Sequence, residues 1–172
     1  SELGNLYLAH KACNQSRGNL RIDIAAPVVE FRAYASEERA MTFDHVLVRY
    51  VKVRDPGAPK PSSFERHGST ARIVCDGVEH NSVPVFEDPA TKVPYFFLDI
   101  PITCIYNDAG VQPRLILQSH VRALALDFVE RPVHEPSSCR LEYTSDTTGR
   151  LLQFDGQHKT TAQILLGRTA VP

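Results

Sequence analysis

Much that would assign a chain to a broad class is missing from these 172 residues. There is hardly any net charge: 19 Lys and Arg against 20 Asp and Glu leave −1, which argues against a nucleic-acid-binding surface spread over the whole chain. There is no apolar run near the ~20 residues that a bilayer-spanning helix requires. The start, "SELGNLYLAHKAC", has no basic stretch followed by an apolar one, so it does not read as a secretory signal. The four cysteines, Cys13, Cys75, Cys104 and Cys139, are far apart and form no CxxC pair. A disulfide framework of the secreted kind is therefore not expected, and reduced thiols are. No repeat and no low-complexity tract is visible. With 42% hydrophobic and 23% charged residues, the composition predicts a folded chain without membrane contact, cytoplasmic by default.

The patterning that is present predicts an α+β fold. Residues 11–17 read as a short polar helix ended by Gly18, and "APVVEFRAYASEER" (26–39) as a helix with Pro27 in its first turn. The β-branched and aromatic residues of "VLVRYVKV" (46–53) predict a strand; its alternating basic residues could meet a phosphate backbone or simply face water. "RDPGAPKPSSFERHGS" (54–69), with three prolines and two glycines, reads as a loop or linker. Asp76-Gly77 between apolar stretches predicts a hairpin over 71–86. A turn follows at 87–92, and "VPYFFLDIPITCIY" (93–106) reads as buried strand. In "QSHVRALALDFVERP" (118–132), Val121, Leu124, Ala125, Phe128 and Val129 form one apolar stripe on a helix that Pro132 ends and Ser119 caps. Residues 139–143 and 150–154 predict a second hairpin. Asp155 then caps a helix whose Ala162, Leu165 and Leu166 face the core, closed by Gly167. The expected divisions are 1–40, 41–92 and 93–172.

"GRLLQFDGQHKTTAQILLG" (149–167) carries the chemistry. Gly156 lets the backbone turn sharply, and the amides that follow have no partners within their helix. The helix dipole, Lys159, His158 and Gln157 add positive charge and donors, so the turn suits an anion such as phosphate. The same residues also read as an ordinary turn with a solvated helix start. His45, His67, His80, His120 and His134 show no metal-ligand spacing. Asp127 and Glu130 lie on the polar side of their helix, with nothing singling out either as catalytic.

From residue 100 onward the chain resembles the ParB/sulfiredoxin-like domain. The resemblance rests on Gln112-Pro113-Arg114, the helix at 119–130, the hairpin, Asp155-Gly156-Gln157-His158-Lys159 (a DGQHR-like turn), Ala162 and Leu165-Leu166-Gly167, in that order over about 75 residues. It implies a mixed sheet with flanking helices. The family includes CTP switches, ATP-using reductases, free-serine kinases and DNA-modification proteins. By resemblance, Arg114, Asp155, Gly156, Gln157, His158 and Lys159 would hold nucleotide phosphates, with Mg2+ accompanying a nucleoside triphosphate. Lys159 replaces the usual Arg, keeping the charge and losing the bidentate fork. Gln157 stands where a sulfiredoxin has its cysteine, which excludes reductase chemistry. Nucleotide hydrolysis, kinase activity and a scaffold with a vestigial site stay open.

"GNLYLAHKACNQSRGNL" (4–20) resembles the second half of an HNH nuclease motif, a small ββα unit. Asn5 matches its middle Asn, Asn14 its last metal ligand, and His10 and Cys13 the second ligand pair of a zinc ribbon. The general-base histidine and the first ligand pair have no counterpart, and one His-x-x-Cys pair does not complete a zinc site. The alternative is a polar helix with one exposed histidine. The combined expectation is a piece of a bacterial or phage DNA-processing or defence protein, nuclease-inactive as it stands and with an incomplete site for Zn2+ or Mg2+. It would bind nucleotide or DNA, and homodimerisation is compatible with it.

Overall fold

The computed structural model describes residues 22–37, 40–51, 60, 62–111, 114–131 and 136–172. It is a mixed α+β structure. In chain order, α1 (Ile22–Glu37) and a short α2 (Phe43–Val46), continued as a π turn over Leu47–Val51, precede the antiparallel strands β1 (Ser62–His67), β2 (Thr70–Cys75) and β3 (Val78–Pro84). The two-residue strands β4 (Phe86–Glu87), β5 (Pro94–Tyr95) and β6 (Ile100–Pro101) lead through a 3-10 turn at Ile102–Cys104 into β7 (Ile105–Asn107). Then come α3 (Gln118–Glu130), β8 (Ser138–Tyr143), β9 (Thr148–Asp155), α4 (Gln157–Leu165) and β10 (Ala170–Val171).

β9 is the axis of the main sheet. Antiparallel β8 follows it on one side, from Tyr143 opposite Gly149 to Ser138 opposite Asp155. On the other side, Gly149 and Thr148 pair with Ser62 and Ser63 of β1, and Leu151 to Gln153 run parallel to Ile105–Asn107 of β7. Gly149 is required where β8 crowds it: an added Cβ would sit 2.6 Å from the Glu142 carbonyl oxygen and 2.9 Å from Leu141. The helices cover the sheet, α3 packing on α4 and α1 touching both. Phe31, Phe43, Val46, Leu47, Ile105, Val121 and Ala125 are buried at the junction. Among the described residues no helix is long and apolar enough to cross a membrane.

Several expected elements are present. The α3 stripe buries Val121, Ala125 and Phe128, with Leu124 half-buried, although Val129 stays exposed. The two hairpins form, and Asp76 and Gly77, both at positive φ (49° and 78°), turn the first. The 87–92 turn is held by Asp88, which accepts the Ala90 and Thr91 amides.

Four expectations need correction. Residues 46–51 are helical, not a strand: Phe43, Val46 and Leu47 are buried while Val48 and Arg49 are exposed, a helical rather than an alternating pattern. Packing overrides β propensity there, since the Tyr50 ring meets Phe31 and Tyr34 of α1 at 6.1 and 6.3 Å. Residues 62–67 are strand rather than loop, because Gly68 (φ 64°) turns β1 back onto β2 and pairs Glu65 with Arg72. The 93–106 run is broken into short pieces, and Val93, Tyr95 and Phe97 are exposed. Finally, α1 begins before residue 26 and carries Pro27 within it. The polar patch at 11–17 and Pro132 lie outside the described residues.

Phe43 is fully buried between helices and sheet. Phe43→Ala is expected to remove about 3–5 kcal/mol of stability, the usual loss for truncating a core aromatic. Urea unfolding would register this as a lower midpoint with an unchanged slope.

Candidate functional site

The parallel strands β7 and β9 end side by side, and the chain leaving β9 enters α4 within two residues. Gly156 is the N-cap of α4, at φ 84° and ψ 14°. Only glycine adopts this left-handed conformation without a Cβ penalty. Its missing Cβ matters a second time, because a side chain there would lie 2.6 Å from Ser137 Oγ and 3.1 Å from Ser137 Cα. The close approach that Gly156 permits is therefore made by the protein's own Ser137. Asp155 does not cap the helix: no side-chain cap bond exists, and Asp155 is the exposed last residue of β9.

Polar side chains fill the space beneath this turn. Gln153, fully buried, donates Nε2–H to Thr160 Oγ1 at 2.8 Å and to the Asp155 carbonyl at 3.0 Å. Thr160 Oγ1 also meets Ser137 Oγ at 3.2 Å. Gln157, buried as well, donates to Asn107 Oδ1 at 2.6 Å, and Asn107 donates to Asp44 Oδ2 at 2.8 Å. This chain ties α4 to β7 and α2. Beside it, buried Asp108 is paired with Arg140, whose hydrogen bond, more than burial opposes it, holds the carboxyl below the usual range.

His158 is committed too. Its Nε2 accepts the Leu117 amide at 2.9 Å, so in the neutral ring the proton is on Nδ1. The ring stacks on His120 at 4.8 Å between centroids. Burial first, then the neighbouring His120 and Arg114, pushes its pKa below the ordinary imidazole value. This bond serves the first amide ahead of α3, where Ser119 was expected to act. Leu117 is the N-cap there, with no side-chain cap bond.

Of the expected phosphate-binding residues, Gly156, Gln157, His158 and Lys159 thus share one turn, with Lys159 half-buried. Arg114 is exposed and near enough for its charge to act on His158. The backbone amides of Gln157, His158 and Lys159 precede the first intrahelical bond, Thr160 N–H to Gly156 O at 2.9 Å. Those of Gln157 and His158 are orphan donors of α4, and all three lie at the positive end of its dipole. Asn107, Asp108, Arg140 and Ser137 were missed in the sequence; "YND" at the end of an apolar run was the one available signal. Gln112 and Pro113, and the expected metal ligands His10, Cys13 and Asn14, lie outside the described residues. Among those described, no group of three or more His, Cys, Asp or Glu side chains could hold a metal ion. Asp127 pairs with Arg131 at 3.1 Å on the surface.

No protein-family model, curated protein or solved structure matches this chain.

Two glycines at similar φ separate conformation from contact. An alanine at Gly77 (φ 78°) meets nothing within 4 Å and should cost about 1–2 kcal/mol, the left-handed penalty. Gly156→Ala should cost clearly more, since Ser137 must also move. Equal losses by urea denaturation would contradict the Ser137 contact.

His158 also makes stability depend on pH. With its folded pKa below the unfolded value, the unfolded chain binds more protons as pH falls through that window. Its contribution is complete above about pH 7 and is lost as pH drops below the unfolded value of ~6.5 towards the folded one. Unfolding curves from pH 8 to 5.5 should show a loss that His158→Gln reduces.

Proposed function

We propose that the turn at 155–159 binds an anionic phosphate ligand, a nucleoside triphosphate or a nucleic-acid phosphate, in a ParB/sulfiredoxin-like domain. The observation that carries this reading is the α4 start: the Gln157 and His158 amides, ahead of the first intrahelical bond, entered through a left-handed glycine at the ends of two parallel strands. Helix N-termini so placed suit phosphate without further side chains. Arg114 and Lys159 add cationic charge at the same end, and Mg2+ would accompany a triphosphate. The order of parts that carries the family resemblance also occurs in this fold as β7, α3, the β8–β9 hairpin and α4. With the HNH-like segment at 4–20, the parent function we infer is DNA processing or defence.

One observation favours a second reading, a scaffold with a vestigial site. Gln157 and the Nε2 of His158 are already bonded within the protein, and Ser137 fills the space against Gly156. A ligand would therefore meet backbone amides, His158 Nδ1–H and the cationic side chains rather than Gln157.

Calorimetric titration with CTP, ATP, ADP and GTP in the presence of Mg2+ distinguishes the two. Binding of a triphosphate should weaken by roughly 1.5–3 kcal/mol in Lys159→Ala, the scale of a charged hydrogen bond, with the unfolding curve little changed. No heat with any nucleotide would support the scaffold reading, and equal affinity in the variant would overturn the role given to Lys159. Phosphate release during the titration would indicate an enzyme.

A further inference from the structure

The sheet face that meets α4 continues beyond the helix. Asn107 and Gln153 bond to α4 from this face, and Ile105 and Leu151, two residues earlier on the same strands, share it. Beside them is a cavity of about 820 Å³, walled by Ile105, Leu141 and Leu151 of the sheet and by the segment 93–100. Both ends of that segment are pinned. Tyr95 pairs with Phe86 through β4 and β5, and Ile100 pairs with Val171 of β10. In between, Phe96 stacks on Phe64 of β1, with ring centroids 5.7 Å apart and planes 18° from parallel.

Between its anchors the segment alternates. Phe96, Leu98 and Ile100 are half-buried or buried, while Tyr95, Phe97 and Asp99 are exposed, and all six line the cavity. Tyr95, Phe97 and Asp99 therefore stand at its mouth. Phe86 joins them there: the Phe86, Tyr95 and Phe97 rings contact one another pairwise at 5.6, 6.2 and 5.9 Å between centroids, and Phe97 is 63% exposed. Apolar rings gathered on a surface in this way mark a contact site, whereas single exposed ones need no explanation. Charge then sets the sign of the ligand. Among the described residues that line the cavity, the one acid is Asp99 and the one base is Arg140. Arg140 is bonded to the buried Asp108, so an anionic ligand would compete with a carboxylate already in place. A cation at the mouth would meet the Asp99 carboxylate and the faces of two rings.

We propose that this cavity binds an amphipathic aromatic ammonium compound, its ring system between the sheet and Phe96 and Leu98, its ammonium group at the mouth beside Tyr95, Phe97 and Asp99. Cavities of roughly 300–1,000 Å³ cover most of the surface of a ligand of that kind. The ring leaves water for an apolar wall, while the charge keeps both solvent and a carboxylate, so no charge is buried unpaired. The site is distinct from the α4 turn, and its ligand carries the opposite charge to the phosphate proposed there. Either reading can fail without the other.

The test titrates the full chain at neutral pH with three probes that share one naphthalene ring: naphthylethylammonium, naphthylethanol and naphthylacetate. Leucine methyl resonances are recorded throughout. The ammonium probe should bind saturably and roughly tenfold more tightly than the acetate, moving the methyl signals of Leu98, Leu141 and Leu151. Asp99→Asn, at an exposed position, should weaken the ammonium probe about two- to fivefold and leave the alcohol unchanged. Three results would overturn the assignment: no saturable binding of any probe, an alcohol or acetate that binds as tightly as the ammonium, or shifts confined to residues away from the cavity. Equal ammonium affinity in Asp99→Asn and wild type would overturn it as well. Loss of ammonium binding in Lys159→Ala would place the probe at the α4 turn instead and count against the cavity.

Discussion

The hydrogen bonds of Gln153 organise the region around the candidate site. A buried primary amide at the end of a central strand has several hydrogen-bonding positions to satisfy, and leaving them unmade costs about 1–3 kcal/mol each. Its Nε2 is shared between the Asp155 carbonyl and Thr160 Oγ1, which places the turn above it and the first turn of α4 beside it. The Gln153 backbone carbonyl accepts the Asp108 amide at 3.0 Å, which continues the parallel pairing of β7 past its last residue, while the side-chain Oε1 has no partner among the described residues. One residue therefore fixes the turn, the helix and the neighbouring strand end. The left-handed Gly156 follows from this, because the chain must reverse within two residues to bring Thr160 over Gln153.

That constraint also accounts for the unusual composition of α4. Gln157, Thr160, Thr161, Ala162, Gln163 and Leu165 are all buried, so the helix has hardly any solvent face on which to place its polar residues. Thr161 returns its hydroxyl to the Gln157 carbonyl at 2.8 Å. Polar residues in this helix are internal joints. Of the side chains that suggest ligand donors in the sequence, Gln157 and His158 are the ones that hold α2, α3 and β7 around the turn.

The sequence was most legible where local physics decides structure. The α3 stripe, the Asp76-Gly77 turn and the β8–β9 hairpin each follow from spacing within a dozen residues. It was least legible where a distant partner decides. The 46–51 segment has the residues of a strand and is helical because Tyr50 lies against α1. β1 has a single large apolar residue, Phe64, and is a strand because β2 and β9 flank it. At the site, the glycine and the helix start were readable, while the partners of Gln157 and His158 were not. Asn107 is fifty residues away from Gln157, and no spacing rule connects them.

The contact at His158 shows why those partners matter to any ligand. A neutral imidazole has one donor and one acceptor, and here the acceptor is used by the Leu117 amide. Protonation would set an N–H against an N–H, disrupting the start of α3, and burial, together with the nearby His120 and Arg114, already disfavours it. A bound polyanion acts in the opposite direction, offsetting those positive charges and favouring the imidazolium. Ligand charge at the α4 turn and the integrity of the α3 start are thereby linked through one ring. On the proposed reading, an anion bound there would have to be held strongly enough through Nδ1–H and the backbone amides to leave the Leu117 bond intact, or else it would rearrange α3.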